Sequence, residues 1–201
     1  MVIGLSGVAG AGKDLFYKLL SKEVDISRFS LADNLKEDVT NFTLEKYGIH
    51  ALNCSRKEKE IIRPFLITHG SIMRGRTNGR YWIEKLQKQI EQEESPNSHI
   101  CITDIRYDEY DKDEVYWLKT EMNGILIHIS QFHNLINPGT GKYEIDFLKP
   151  PNEMEEKNDP KLKKAADFCI EWPYHKGEGE VERDFILFPF AQRVVENFEL
   201  K

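Results

Sequence analysis

At 201 residues the chain is long enough to bury a real core and short enough to form one domain, 1–201, with at most a small lid. A formal net charge of -6 and the lack of any long basic block argue against a dedicated nucleic-acid surface. No apolar run is long enough to span a bilayer. Cys54, Cys101 and Cys169 are scattered and lack a CxxC pair, which argues against a zinc site and fits reduced thiols in a cytoplasmic setting.

The chain opens directly on the strand-like MVIGLS, so no signal peptide is expected. Residues 2–6, VIGLS, form a short apolar run bounded by Gly7 and read as a buried strand. LFYKLL follows with Leu15, Phe16, Leu19 and Leu20 at helical spacing. Between them lies GVAGAGKD (7–14), nearly G-x-x-x-x-G-K-[ST]. Strand, glycine turn and helix in that order are what a phosphate loop needs, because free backbone N–H groups and the helix N-terminus then face an anion. Gly7, Gly10 and Gly12 let the backbone curl, and Lys13 has the reach for terminal phosphates. The expected ATP-binding segment is Gly10, Ala11, Gly12, Lys13, Asp14 and Leu15. Asp14 stands where a Ser or Thr hydroxyl would normally ligate magnesium. Its carboxylate is either a harder ligand for that ion or simply an acid favoured in the first helical turn. No N-K-x-D motif for reading guanine is present.

Residues 25–32 give a second strand, running into 34–48, where Leu35, Val39, Phe42 and Leu44 fall near helical spacing. Ser55 with Glu58 forms a capping-box signature for a third helix. The most basic stretch, 63–80, carries Arg63, Arg74, Arg76 and Arg80. A helix over 81–94 puts Trp82, Leu86 and Ile90 on one face, and the turn 95–98 leads to the buried strand HICITD (99–104). Residues 109–122 read as a surface helix with Val115, Leu118 and Met122 inward, and 124–130 as a fourth strand. The polar segment 131–165, with Pro138, Gly139, Gly141, Pro150, Pro151 and Pro160, reads as a lid or mobile insert. A fifth strand (166–172), a loop (175–183) and a helix (185–198) complete the chain. Strands alternating with helices predict an α/β fold. A five-stranded parallel sheet is covered on both faces, and ligands bind beyond the carboxyl ends of its strands.

Taken in order, GLSGVAGAGKD, LADNLK (31–36), RPFLITHGS (63–71), YWIEKL (81–86) and ITDIR (102–106) resemble the bacteriophage deoxynucleoside monophosphate kinases over roughly residues 1–130. The resemblance implies a three-layer P-loop kinase fold. It implies transfer of the γ-phosphoryl of ATP to a (deoxy)nucleoside 5′-monophosphate, with Mg2+ as cofactor, nucleotides as partners and a homodimer in the host cytoplasm. Gly10, Gly12, Lys13 and Asp14 would then hold ATP and magnesium. Lys36 and Arg63 match positions associated with the acceptor, and a guanidinium suits a phosphate because it binds two oxygens at once. Arg63 reads equally as a surface arginine, and Trp82 either stacks on the acceptor base or fills the core. Asp104 ends an apolar strand, where an acid binds magnesium, polarises the acceptor, or caps a helix. Arg106 would stabilise charge on the transferred group. Residues 131–165 contain no arginine, so Lys142, Lys149 or Lys157, or Arg74, Arg76 or Arg106 from the body, would serve the phosphates instead. His69 reads as structural. The alternatives are a kinase for another small acceptor, of the phosphomevalonate or dephospho-coenzyme A type, and a non-catalytic nucleotide-binding regulator.

Overall fold

A computed structural model describes residues 1–93, 99–136, 142–174 and 179–201. Its sheet has five parallel strands: β1 (Val2–Ser6), β2 (Ile26–Phe29), β3 (His99–Ile102), β4 (Ile125–Ile136) and β6 (Phe168–Pro173). They lie in the order β2-β3-β1-β4-β6, and a short strand β5 (Tyr143–Phe147) pairs antiparallel with the distal half of β4. The helices are α1 (Lys13–Leu20), α2 (Leu31–Tyr47), α3 (Arg56–Arg76), α4 (Arg80–Glu91), α5 (Glu114–Tyr116), α6 (Glu153–Ala165) and α7 (Glu180–Asn197).

The strands read as apolar runs because both faces of the sheet are covered. Ile3, Leu5, Cys101, Ile127, Ile129 and Ile170 face α1 and α7, meeting Phe16, Leu19, Leu187 and Val194. The alternate positions, Ile102 and Leu126, face Ile83 and Leu86 of α4 and the Trp117–Leu118 pair. At Gly4 an added Cβ would lie 2.3 Å from Leu118, so only glycine lets that layer close. A smaller apolar cluster, Val39, Ile49, Ala51, Ile62 and Leu66, joins α2 to α3. The Ser55–Glu58 capping box forms as expected, each side chain bonding the other residue's backbone N–H.

Several elements depart from the sequence-based expectation. Residues 109–122 are not one surface helix. The single turn α5 runs into a π-helical turn, Trp117–Glu121, and Asp113 and Glu114 are buried against Arg74. Long-range ion pairing overrides the local helical pattern there. Within 131–165 the described residues supply the end of β4, then β5 and α6. Pro150 and Pro151 lie just outside α6, whose N-cap is Asn152. Helix α7 begins at Glu180 rather than 185, with Glu180 and Glu182 favoured in its first turn. The expected turn at 95–98, Pro138, Gly139 and Gly141, and positions 175–178 of the expected loop lie outside the described residues.

Candidate functional site

The loop between β1 and α1 sits at the carboxyl end of a central strand, as the sequence predicts. Two glycines in it are obligatory. Gly7 has φ 128° and a Cβ there would lie 2.2 Å from the Ile129 carbonyl oxygen. Gly12 has φ 95° and a Cβ there would meet the Trp172 ring at 2.5 Å. Trp172 is fully buried on β6, and its Nε1–H donates to the Ala11 carbonyl at 2.9 Å. This indole floor was not foreseen from sequence. Trp172 alternates inward with Ile170 along a strand, and nothing local ties it to Gly12. The first N–H groups of α1 have no partner within the helix, the condition under which a helix start receives an anion.

Lys13 folds back, donating from Nζ to the carbonyls of Gly7 at 2.6 Å and Val8 at 3.1 Å. Burial, with the Arg106 guanidinium nearby, lowers its ammonium pKa to about 8, against the opposing pull of Glu155, Asp104 and Asp14. Lys13, Asp14, Asp104 and Arg106, separated by up to 93 positions in sequence, therefore share one electrostatic neighbourhood. Asp14 is largely exposed in the first turn of α1, with Arg28 Nη2 3.3 Å away.

Asp104 has a different job from the magnesium acid expected. It is buried, and its Oδ1 accepts the Leu31 N–H at 2.8 Å. Its Oδ2 accepts the Ala32 N–H at 2.8 Å and the Ser30 hydroxyl at 2.9 Å. It thus caps α2 together with Ser30, a helix that precedes it in the chain rather than follows it. Among the described residues no group of three or more His, Cys, Asp or Glu side chains could hold a metal. Magnesium on a triphosphate needs only one or two protein carboxylates, and the exposed Asp14 beside Lys13 fits that demand better than Asp104, which is buried and already accepts three hydrogen bonds.

Arg106 is exposed, while its backbone N–H donates to Glu114 Oε2 at 2.6 Å, which also accepts from Tyr107 N–H at 3.1 Å. Burial pushes the Glu114 carboxyl up to about 8, against the pull of the Arg74 guanidinium 3.1 Å away. Arg74 also holds Asp113 through two bonds, at 3.1 and 2.9 Å, and the Tyr107 ring lies 3.7 Å from its guanidinium carbon. Arg74 is 7% exposed. The expected substrate arginine at 74 is therefore corrected: it locks the strand-end loop that carries Arg106. Trp82 takes its core alternative, buried, with Nε1–H donating to the Gly70 carbonyl at 3.3 Å and Tyr81 edge-on to its ring. His69, bonded to Asp38 at 2.8 Å, is structural as read.

The acceptor candidates remain on the surface. Lys36 pairs with Asp33 at 2.5 Å, and Arg63 with Glu60 at 2.7 Å. Between them stands Lys59, one turn before Arg63 on the same face of α3. Burial and the charges of Lys36, Arg63 and Arg106 lower its ammonium pKa. Lys59 was missed because RKEKE reads as an ordinary charged helix start. Its i,i+4 spacing to Arg63 was the available signal.

Helix α6 lies across the loop. Glu155 Oε2 accepts the Ala9 N–H at 2.6 Å, and Lys157 pairs with Glu109 at 2.9 Å. Beneath Asp159, His128 Nε2 is 3.7 Å from its Oδ1, and His128 Nδ1 contacts Ser6 Oγ at 3.1 Å. Burial, with Lys163 and Lys13 nearby, lowers the His128 pKa to about 4, so the ring is neutral at pH 7. A cavity of about 20 Å³ remains between loop and helix. Larger hollows, of about 240 and 260 Å³, lie on the surface beside β6 and beside the C-terminus and include no loop residue.

No helix among the described residues is long and apolar enough to cross a membrane. No family model and no curated protein matches the chain. Among solved structures, a shikimate kinase from Acinetobacter baumannii in complex with shikimate is similar over 100% of this chain and 95% of its own, at 13% identity and a TM-score of 0.40. The fold is α/β, a mostly parallel sheet between helical layers with the glycine loop 7–12 after its central strand, and it rests on the strand order and loop described above.

Proposed function

We propose that the protein is an ATP-dependent kinase acting on a (deoxy)nucleoside 5′-monophosphate. The observation that carries this reading is the double neighbourhood of Arg106. It lines the small cavity at the loop together with Lys13, and its charge also acts on Lys59, on which the charges of Lys36 and Arg63 act as well. A cationic bridge between a triphosphate loop and an anion-binding cluster is what phosphoryl transfer to an acidic acceptor requires. In this reading the loop N–H groups and Lys13 hold the β- and γ-phosphates of ATP. Magnesium, held through Asp14, supplies charge neutralisation on the phosphates. Lys36, Lys59 and Arg63 hold the acceptor's phosphate, one oxygen of which forms the new bond to the γ-phosphorus while ADP leaves. Arg106 neutralises charge on the group in flight. Of the lid lysines that stand in for arginines, Lys142 and Lys149, which precede α6, serve the phosphates. Exposed Ile61 and Ile72, three turns apart on one side of α3, offer apolar contacts for the homodimer that the resemblance implies.

A coupled assay with ATP and a panel of deoxynucleoside monophosphates, run beside phosphomevalonate and dephospho-coenzyme A, tests the reading. Turnover on a monophosphate is the expected result. Turnover only on another acceptor assigns the cation cluster differently, and ATP binding without turnover on any of them makes the protein a regulator. Arg63→Ala should raise the KM for the acceptor far more than that for ATP, as loss of a charge-assisted contact worth about 1.5–3 kcal/mol.

A further inference from the structure

Building on the nucleotide reading of the loop, we propose that α6 gates it. The carboxylates of Glu155 and Asp159 occupy the position of the phosphates, and a triphosphate enters only by displacing the helix. The Ala9 N–H that Glu155 accepts at 2.6 Å belongs to the loop that would otherwise bond a phosphate oxygen. Lys13, the loop's cation, stands in the field of both acids. The cavity of about 20 Å³ between Lys13, Arg106, Glu155 and Asp159 has room for about one water and not for a phosphate. Carboxylate and phosphate therefore compete for the same donors, and a polyanion beside two acids is repelled until the helix moves.

The helix is held in a way that permits movement. Only Asn158 and Leu162 are buried along it. Its other ties to the body include polar contacts from Lys157 to Glu109 and from Lys161 to the Asp108 carbonyl. Pro160 removes one N–H from the helical ladder. Asp159 Oδ1 is buried without a hydrogen-bond partner, facing the neutral ring of His128 at 3.7 Å. A buried acceptor left unsatisfied favours release of the element that carries it. The gate closes through one short contact, that of Glu155, and is loaded by one unfavourable group.

The test is calorimetric titration of Mg·ATP into the full chain and into the double variant Glu155→Ala/Asp159→Asn. The variant should bind at least tenfold more tightly. Equal or weaker binding overturns the gate while leaving the nucleotide site standing. If neither protein binds ATP, the nucleotide reading falls and the gate with it. Because a double substitution can loosen the helix generally, hydrogen exchange on the unaltered protein supplies a second reading. Amides of 153–165 should exchange faster when ATP is bound. Slower or unchanged exchange means that α6 closes over the nucleotide or ignores it, and either result overturns the proposal.

Discussion

Replacing Asp104 with Asn keeps the side chain's size and removes one acceptor. In the protein its two oxygens receive the Leu31 and Ala32 N–H groups and the Ser30 hydroxyl, in a buried setting. An amide has one oxygen. Whichever way it turns, its NH2 group opposes either Leu31 N–H or Ala32 N–H, and one backbone donor at the start of α2 is orphaned. That costs about 1–3 kcal/mol, and loss of the anion from a helix N-terminus adds about 1 kcal/mol. A total near 3 kcal/mol in a chain of this length lowers Tm by on the order of 10 °C. Thermal scanning, with urea titration to confirm an unchanged m value, measures it. Ser30→Ala, which leaves both backbone bonds intact, should cost only about 1 kcal/mol. A Tm within about 2 °C of wild type, coupled with a collapse of kcat, would refute the cap and restore Asp104 as a metal or acceptor acid.

Arg74→Met should destabilise more than Asp104→Asn, by about 3–5 kcal/mol, because it strands the buried Asp113 carboxylate and takes a donor from the buried Glu114 carboxyl; unaltered denaturation would show that Arg74 does not hold them. Gly12→Ala forces a Cβ against Trp172 at a left-handed φ, so stability should fall by about 1–3 kcal/mol and ATP binding should weaken; wild-type values for both would mean that the loop is free of its indole floor. Lys13 titrates near pH 8 in the folded chain and near 10.5 when unfolded, so between those values the unfolded state holds the extra proton and this group's contribution to stability rises with pH. Anion binding runs the other way: ATP affinity should decline as pH rises above 8, and this dependence should vanish in Lys13→Met. A flat ATP Kd from pH 7 to 9.5 in the wild type would show that the loop does not use the ammonium.

What could be read in the sequence was what is local. The glycine spacing, the flanking strand and helix, and the Ser55–Glu58 box each depend on residues within a few positions, so pattern alone fixes them. A parallel sheet covered on both faces followed from alternation with helices, whereas the order of its strands did not. Asp104 was located at the right strand end, yet its partners lie 72 to 74 positions away, and no local signal says which helix start it meets. Arg74 looked free in a basic stretch because its carboxylates sit 39 and 40 positions on, inside a segment whose period suggested a solvated helix. Lys36 and Arg63 could be named individually, but the field they share with Lys59 and Arg106 depends on how α2, α3 and the end of β3 converge. Glu155 was read only as part of a polar lid or mobile insert, since the folded chain alone brings it to Ala9.

The indole beneath the loop makes the protein its own optical sensor. Of the three tryptophans, Trp82 and Trp117 pack in the cluster on the other face of the sheet, and only Trp172 touches the loop. Its N–H is tied to the Ala11 carbonyl and its ring edge abuts Gly12, so any shift of those atoms alters both the dipole at the ring nitrogen and its contact environment. With Trp82 and Trp117 changed to Phe, the remaining emission would come from a single fluorophore on the sheet, packed against the loop. Rapid-mixing traces could then follow the loop itself on the millisecond scale, with no label attached.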